Sequence, residues 1–215
     1  MKILDIYEKY KIMPQLQEHQ LRVAGVADLI CENFQGEVER DNIIKACLLH
    51  DIGNIIKFDL INAHKLLNID IDIDHWQAVK GEYIKKYGHD EHVASIQIAQ
   101  ELGVASRVLE LIDSVSFDVA PDNAQSEDFG KKICDYADMR VAPSGVASLE
   151  ERFADLRARY AHKHMEWGSE QKRITYEKSL REIERQIFAK CKITPEEITE
   201  ERVKEKFEEL RNYGI

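Results

Sequence analysis

The sequence predicts an all-α fold: a helical bundle over residues 1–145, followed by a charged helical C-terminal extension over residues 146–215. Three observations carry this. Only 4 prolines and 10 glycines punctuate 215 residues. Between them, apolar residues recur every three or four positions, the period of a helix face and not of a strand. Ser148-Leu149-Glu150-Glu151 and Thr194-Pro195-Glu196-Glu197 both have the form of a capping box, in which a hydroxyl and a carboxylate three residues on satisfy each other's backbone donors.

The elements follow in order. From Met13 to Asn33, the residues Leu16, Val23, Val26, Ala27 and Ile30 share one face of an amphipathic helix. Asp41 suits the N-cap of a second helix, running through Ile44, Cys47 and Leu48 to His50, with Gly53 as its stop. Leu60 to Asp74 alternates apolar and acidic residues near its end, but an isolated strand has no partner here, so it reads as loop. Helices are expected over Trp76–Lys86, ended by Gly88, over His92–Leu102, ended by Gly103, and over Val104–Val115. A polar loop with Pro121, Asp122 and Asn123 leads into a helix from Ser126 to Val141, closed by Pro143 and Gly145. Past that point the Ser148 box opens a helix reaching His162. Residues 169–190 carry Tyr176, Leu180, Ile183 and Ile187 at helical spacing, and a final short helix carries Val203, Phe207 and Leu210. Narrow apolar stripes among many charges suit a face packed on the bundle, with a homodimer contact as the second reading.

Composition limits the function. At 44% hydrophobic the chain can bury a sizeable core and is not disordered. Against 30 Lys+Arg stand 40 Asp+Glu, a formal charge of −10. That excludes an extensive nucleic-acid surface, which needs clustered cations to displace counterions. It leaves room for a local pocket holding a small phosphorylated substrate. The cysteines at 31, 47, 134 and 191 form no CxxC pair, and Cys47 lies in an apolar run, so buried thiols in a reducing cytoplasm are expected. The charged start, Met1 to Asp5, lacks a signal-peptide stretch, and no run approaches the roughly 20 apolar residues of a membrane span. The expected location is cytoplasmic, with no membrane partner.

Chemistry concentrates on four residues. His19 falls on the apolar stripe of positions 16, 19, 23, 26 and 30, and His50 follows Ile43 and Cys47 on the next helix. Both imidazoles should face the core. Asp51, among Leu48, Leu49, Ile52 and Gly53, is costly to bury unpaired, and a cation is the simplest remedy. Adjacent residues such as His50 and Asp51 cannot share a direction within a helix, but at its terminus both can reach one point. Asp138 adds a second inward carboxylate between Ala137 and Met139. Two imidazoles and two carboxylates suit one divalent ion of Mn, Fe, Co, Ni, Zn or Mg better than calcium. Such an ion acidifies a bound water and polarises a phosphoryl oxygen. The bland alternatives are hydrogen-bonded core histidines, and for Asp138 a surface pair with Arg140 or Lys132.

The segments His19-Gln20-Leu21-Arg22-Val23-Ala24, Leu48-Leu49-His50-Asp51-Ile52-Gly53 and Asp135-Tyr136-Ala137-Asp138 together resemble the H…HD…D signature of the HD superfamily, over residues 15–142. The resemblance implies an HD-type helical bundle, a divalent metal, and hydrolysis of a phosphate monoester, phosphodiester or nucleotide through a metal-bound water. Carried over by position, the metal ligands are His19, His50, Asp51 and Asp138. Asp138 is preferred to Asp135 because the family's last aspartate usually follows a small residue, which leaves Asp135 to orient a histidine from behind. Asp51 would also orient the nucleophile, with Arg22 and His92 offsetting phosphoryl charge. His89, Lys57 and Arg140 are the further substrate-binding candidates, although residues such as Lys57 and Arg140 are more often ordinary surface cations and Arg22 reads equally as the partner of a ligand carboxylate. His64, His75, His162 and His164 read as surface residues.

The chain departs from the family pattern twice. Many members carry lysine where Asn54 stands. Two-metal members carry a further histidine near Ser114-Val115-Ser116, and none is present here. One metal is therefore expected, and the oxygenase chemistry of di-iron members is disfavoured. The expected function is a metal-dependent phosphohydrolase acting on a nucleotide or other small phosphorylated metabolite. The rivals are a non-catalytic HD module sensing a nucleotide, and a structural bundle in which the metal is only a cross-link.

Overall fold

The structure, a computed structural model, describes residues 1–61, 72–116, 118–160 and 169–215. Helix α1 (Ile3–Lys9) leads into α2 (Pro14–Asn33), which Pro14 opens at its first position. Helix α3 (Arg40–Leu49) follows, with His50 as its C-cap. It begins just before Asp41, so the expected cap residue lies in the first turn, where its carboxylate takes bonds from Lys45 and Tyr213.

Helix α4 (Ile73–Tyr87) starts earlier than the sequence suggested, because the Asp72 side chain caps it by accepting from the backbone of His75. Of the segment expected as loop, Leu60 and Ile61 are helical and residues 62–71 lie outside the described residues, as do His64, His162 and His164. His75 is exposed. Helix α5 (Glu91–Glu101) is capped by Asp90, and α6 (Ser106–Asp113) follows.

Two local expectations change. The stretch with Pro121 is a short helix, α7 (Ala120–Gln125), because proline fits a first turn as well as a loop. Helix α8 (Phe129–Met139) begins after Asp128, whose carboxylate caps it, and stops before Val141. There the chain forms a small antiparallel hairpin, β1 (Val141–Ala142) with β2 (Gly145–Val146).

Helix α9 (Leu149–Tyr160) opens on the expected reciprocal box, in which Ser148 N–H donates to Glu151 at 2.8 Å and Glu151 N–H donates to Ser148 Oγ at 3.2 Å. Helix α10 (Glu170–Phe188), a 3-10 turn (Pro195–Glu197), α11 (Glu200–Glu205) and α12 (Phe207–Arg211) complete the chain.

One hydrophobic core runs through both halves of the sequence. Ile6, Val26, Leu48, Ile133, Phe153, Leu180, Val203 and Leu210 all belong to it. Helix α2 packs on α3, and α8 crosses both. Helix α10 covers α7 and α8, while α11 and α12 lie along α2. The close approach of α11 requires Gly25, since a Cβ there would meet Val203 Cγ1 at 2.9 Å. The division at 145/146 is thus a change of composition and not a gap in packing. Among the described residues, no helix is long and apolar enough to cross a membrane.

Candidate metal centre

Helices α2, α3 and α8 bring together the four residues that the sequence singled out. His19 comes from the second turn of α2, His50 and Asp51 from the end of α3, and Asp138 from the last turn of α8. His19 Nε2 lies 3.1 Å from Asp138 Oδ1 and 3.5 Å from Asp51 Oδ2. His50 Nε2 lies 3.4 Å from Asp138 Oδ1 and 3.8 Å from Asp51 Oδ2. Ligand atoms of His19, His50 and Asp51 all fall within 4.8 Å of one another. Asp138 joins them through its contacts to both imidazoles.

The His50 ring is oriented from behind. Its Nδ1 lies 2.8 Å from the Cys47 carbonyl, which can only accept, so Nδ1 carries a proton and, whenever the ring is neutral, it is Nε2 that presents a lone pair to the group. That Nε2 is buried and has no hydrogen-bond partner. A lone pair facing two carboxylates is unfavourable, so this nitrogen calls for a cation between them or a proton of its own. The same negative field shows in the titration. Burial alone would lower the His50 pKa, but the Asp51 charge and then Asp138 overturn it, pushing it up to about 9. Burial likewise works to raise the Asp138 pKa, and the adjacent imidazoles of His19 and His50 pull it well below the carboxylate range. The group demands positive charge, and a divalent ion fits both its donor types and its orphaned nitrogen.

Solvent reaches one side. The side chains of His19, Asp51 and Asp138 are 22%, 23% and 25% exposed, while His50 is 3% exposed. An ion held here would keep a face free for water or substrate, unlike a closed structural site.

A family model described as the HD domain matches residues 16–140, more than half of the chain and all four of these residues. The chain belongs to the HD domain family. No match is found among curated proteins or among solved structures.

In this HD domain the two aspartates of α8 part company. Asp138 faces the imidazoles. Asp135 is buried three residues earlier and takes the Asn123 amide at 2.8 Å, while Asn123 also donates to the Ser114 carbonyl. From the sequence, Asp135 is expected to orient a histidine, but its bond is to Asn123, and for His50 the Cys47 carbonyl takes that place. Burial, partly offset by Asn123, pushes the Asp135 carboxyl up to about 8.

Gly53 has a different purpose from helix termination. Its φ of −89° is open to any residue, but an added Cβ would lie 2.5 Å from the Glu91 carbonyl and 2.8 Å from Ser95 N. Glycine lets the turn after Asp51 press against the start of α5, where Gly53 N–H donates to Ser95 Oγ at 3.0 Å.

The expected substrate contacts fare differently. His92, at the start of α5, bonds Asp113 through Nε2 at 3.0 Å. His89 is exposed in the turn before it. Lys57 pairs with Glu91 at 3.1 Å. Arg22 is held by Glu18 at 2.7 Å and by Glu200 of α11 at 2.9 Å, and neither of these is a ligand carboxylate.

Arg140 requires a correction. It is buried, 3% exposed, and donates to Tyr136 Oη at 2.6 Å and to the carbonyls of Ala147, Pro195 and Ile198. A guanidinium so engaged clamps the C-terminal segment and is not placed to bind substrate.

Sequence reasoning noted Asn54 only as a departure from the family pattern and missed that its amide donates to Asp51 Oδ2 at 2.6 Å. Its spacing of three residues from Asp51 at a helix end was the available signal. It also missed Asn123 and Glu200, whose partners lie too far along the chain for local pattern to reveal.

Proposed function

We propose that this HD domain is a metal-dependent phosphohydrolase acting on a nucleotide or another small phosphorylated metabolite. The observation that carries this is the buried, unpartnered His50 Nε2, facing two carboxylates beside a face open to solvent. His19, His50, Asp51 and Asp138 would hold one divalent ion. When bound, it supplies Lewis acidity to a water and to a phosphoryl oxygen.

The chain's own groups do the rest. The Cys47 carbonyl fixes the His50 tautomer. Asp51, with a second carboxylate oxygen beyond the one facing the histidines, orients the attacking water and takes its proton. His92, whose Nε2 bonds Asp113, is the candidate to meet a phosphoryl oxygen or leaving group through its other ring nitrogen. Arg22 is already neutralised by two carboxylates, so its part is to fix α2 against α11 and not to bind phosphate directly.

The test is turnover by purified protein with Mn²⁺ or Co²⁺ against a panel of nucleoside monophosphates and phosphodiesters. Phosphate release that stops on chelation is expected. Folded protein that binds the ion yet cleaves nothing in the panel would overturn the hydrolase assignment. Thermal stabilisation by a nucleotide without product would then point to the sensor alternative.

A further inference from the structure

Asp51 is the ligand that regular structure controls least, because α3 ends at Leu49 and the carboxylate projects from the turn that follows. Asn54 closes that turn from the other side. Its backbone N–H donates to the Asp51 carbonyl at 3.0 Å, and its side-chain Nδ2 donates to Asp51 Oδ2 at 2.6 Å. An ionised carboxylate only accepts, so the amide must present its nitrogen, which fixes its flip. The bonded oxygen is the same Oδ2 that faces His19 Nε2 at 3.5 Å and His50 Nε2 at 3.8 Å. The amide therefore holds the ligand oxygen itself.

The other end of that amide meets no donor. Asn54 Oδ1 is buried and has no hydrogen-bond partner. Such an atom destabilises the fold if nothing ever donates to it. An ammonium bonded to Oδ2 would compete with a metal for the negative charge of the oxygen, and a neutral amide does not.

We infer that Asn54 is a positioning residue for Asp51, holding Oδ2 toward the two histidines and keeping its own carbonyl as an acceptor for a water or hydroxyl of the bound ligand. This rests on the metal-centre reading above, and the experiment separates the two. Mn²⁺ affinity of metal-stripped, full-length protein is measured by calorimetry for the unaltered chain, Asn54→Leu and Asn54→Gln, with the melting temperature of each stripped protein alongside. Asn54→Leu should lose about tenfold in Mn²⁺ affinity, the usual effect of removing a partner behind a ligand, while its stripped melting temperature does not fall. Asn54→Gln keeps a donor and should bind more tightly than Asn54→Leu. If Asn54→Leu fails to fold, Asn54→Ala takes its place with the same expectation. Equal affinities for the unaltered chain and the Leu or Ala variant overturn the inference and leave the metal centre standing, as do equal affinities for the Gln and Leu variants. An unaltered chain that binds no Mn²⁺ overturns both.

Discussion

Two buried polar groups lie two residues apart at the end of α8, and they differ in one respect. Around Arg140, the guanidinium donates to Tyr136 Oη and to the carbonyls of Ala147, Pro195 and Ile198, so the group is closed on itself. Around Asp138, the His50 Nε2 and, one turn beyond Asp51, the Asn54 Oδ1 are buried without partners. Folded proteins rarely leave buried polar atoms unmet, because each costs its desolvation. The closed group therefore reads as a clamp, and the open one as a place completed by a ligand. Charge agrees with this: the clamp needs nothing more, while the four-residue group carries carboxylates that the histidines alone do not neutralise unless protonated.

The strongest way to break this comparison is to remove the orphaned imidazole. His50→Ala should abolish turnover and the thermal stabilisation that Mn²⁺ confers. For the unaltered chain that stabilisation is about 2.7 kcal/mol when the ion is present at a hundred times its dissociation constant. A Mn²⁺-dependent melting shift that persists in His50→Ala would mean the ion binds elsewhere.

The complementary change strikes the clamp. Arg140→Met leaves four acceptors without their donor and should cost about 2–3 kcal/mol in urea unfolding, with the Mn²⁺ shift retained. Unchanged stability accompanied by lost phosphatase activity would place Arg140 in the site after all, and the distinction between closed and open groups would fail.

How much of this was legible beforehand follows the same division. His19 and His50 announce themselves because a helical stripe is a local pattern, with apolar neighbours three and four residues away. The hydrophobic lead-in to the His50-Asp51 doublet is equally local, as is the Ser148 box. Arg140 was not legible, since its acceptors are backbone carbonyls up to 58 residues away, and a carbonyl leaves no mark in a sequence. Arg22 meets Glu200 across 178 residues, so its neutralisation could not be foreseen. Gly53 was recognised as special for the wrong reason: helix ends favour glycine, but here the close passage of α5 requires it. The C-terminal stretch reads as packing on the bundle from its narrow apolar stripes, and few apolar positions do suffice, since Leu180, Val203 and Leu210 all enter the common core.

The smallest effect concerns the carboxylate that belongs to neither group. Asp135 is buried beneath Asp138 with one bond from Asn123, and its pKa is pushed up to about 8 from an ordinary value of 3.8. Between those values the unfolded chain has released a proton that the folded chain still holds. The unfolded state then binds fewer protons, so the stability of the metal-free protein falls as pH rises through this window and levels off above it. Asp135→Asn keeps an acceptor for the Asn123 amide but has no proton to lose. It should flatten the decline and gain at least about 1–2 kcal/mol at the upper end of the window. Urea midpoints of chelated protein at several pH values between about 5 and 8 test this. Parallel curves for the two proteins would mean that Asp135 is ionised in the fold even without a metal, and that the negative charge beneath the ligands is larger than His50 and His19 alone must balance.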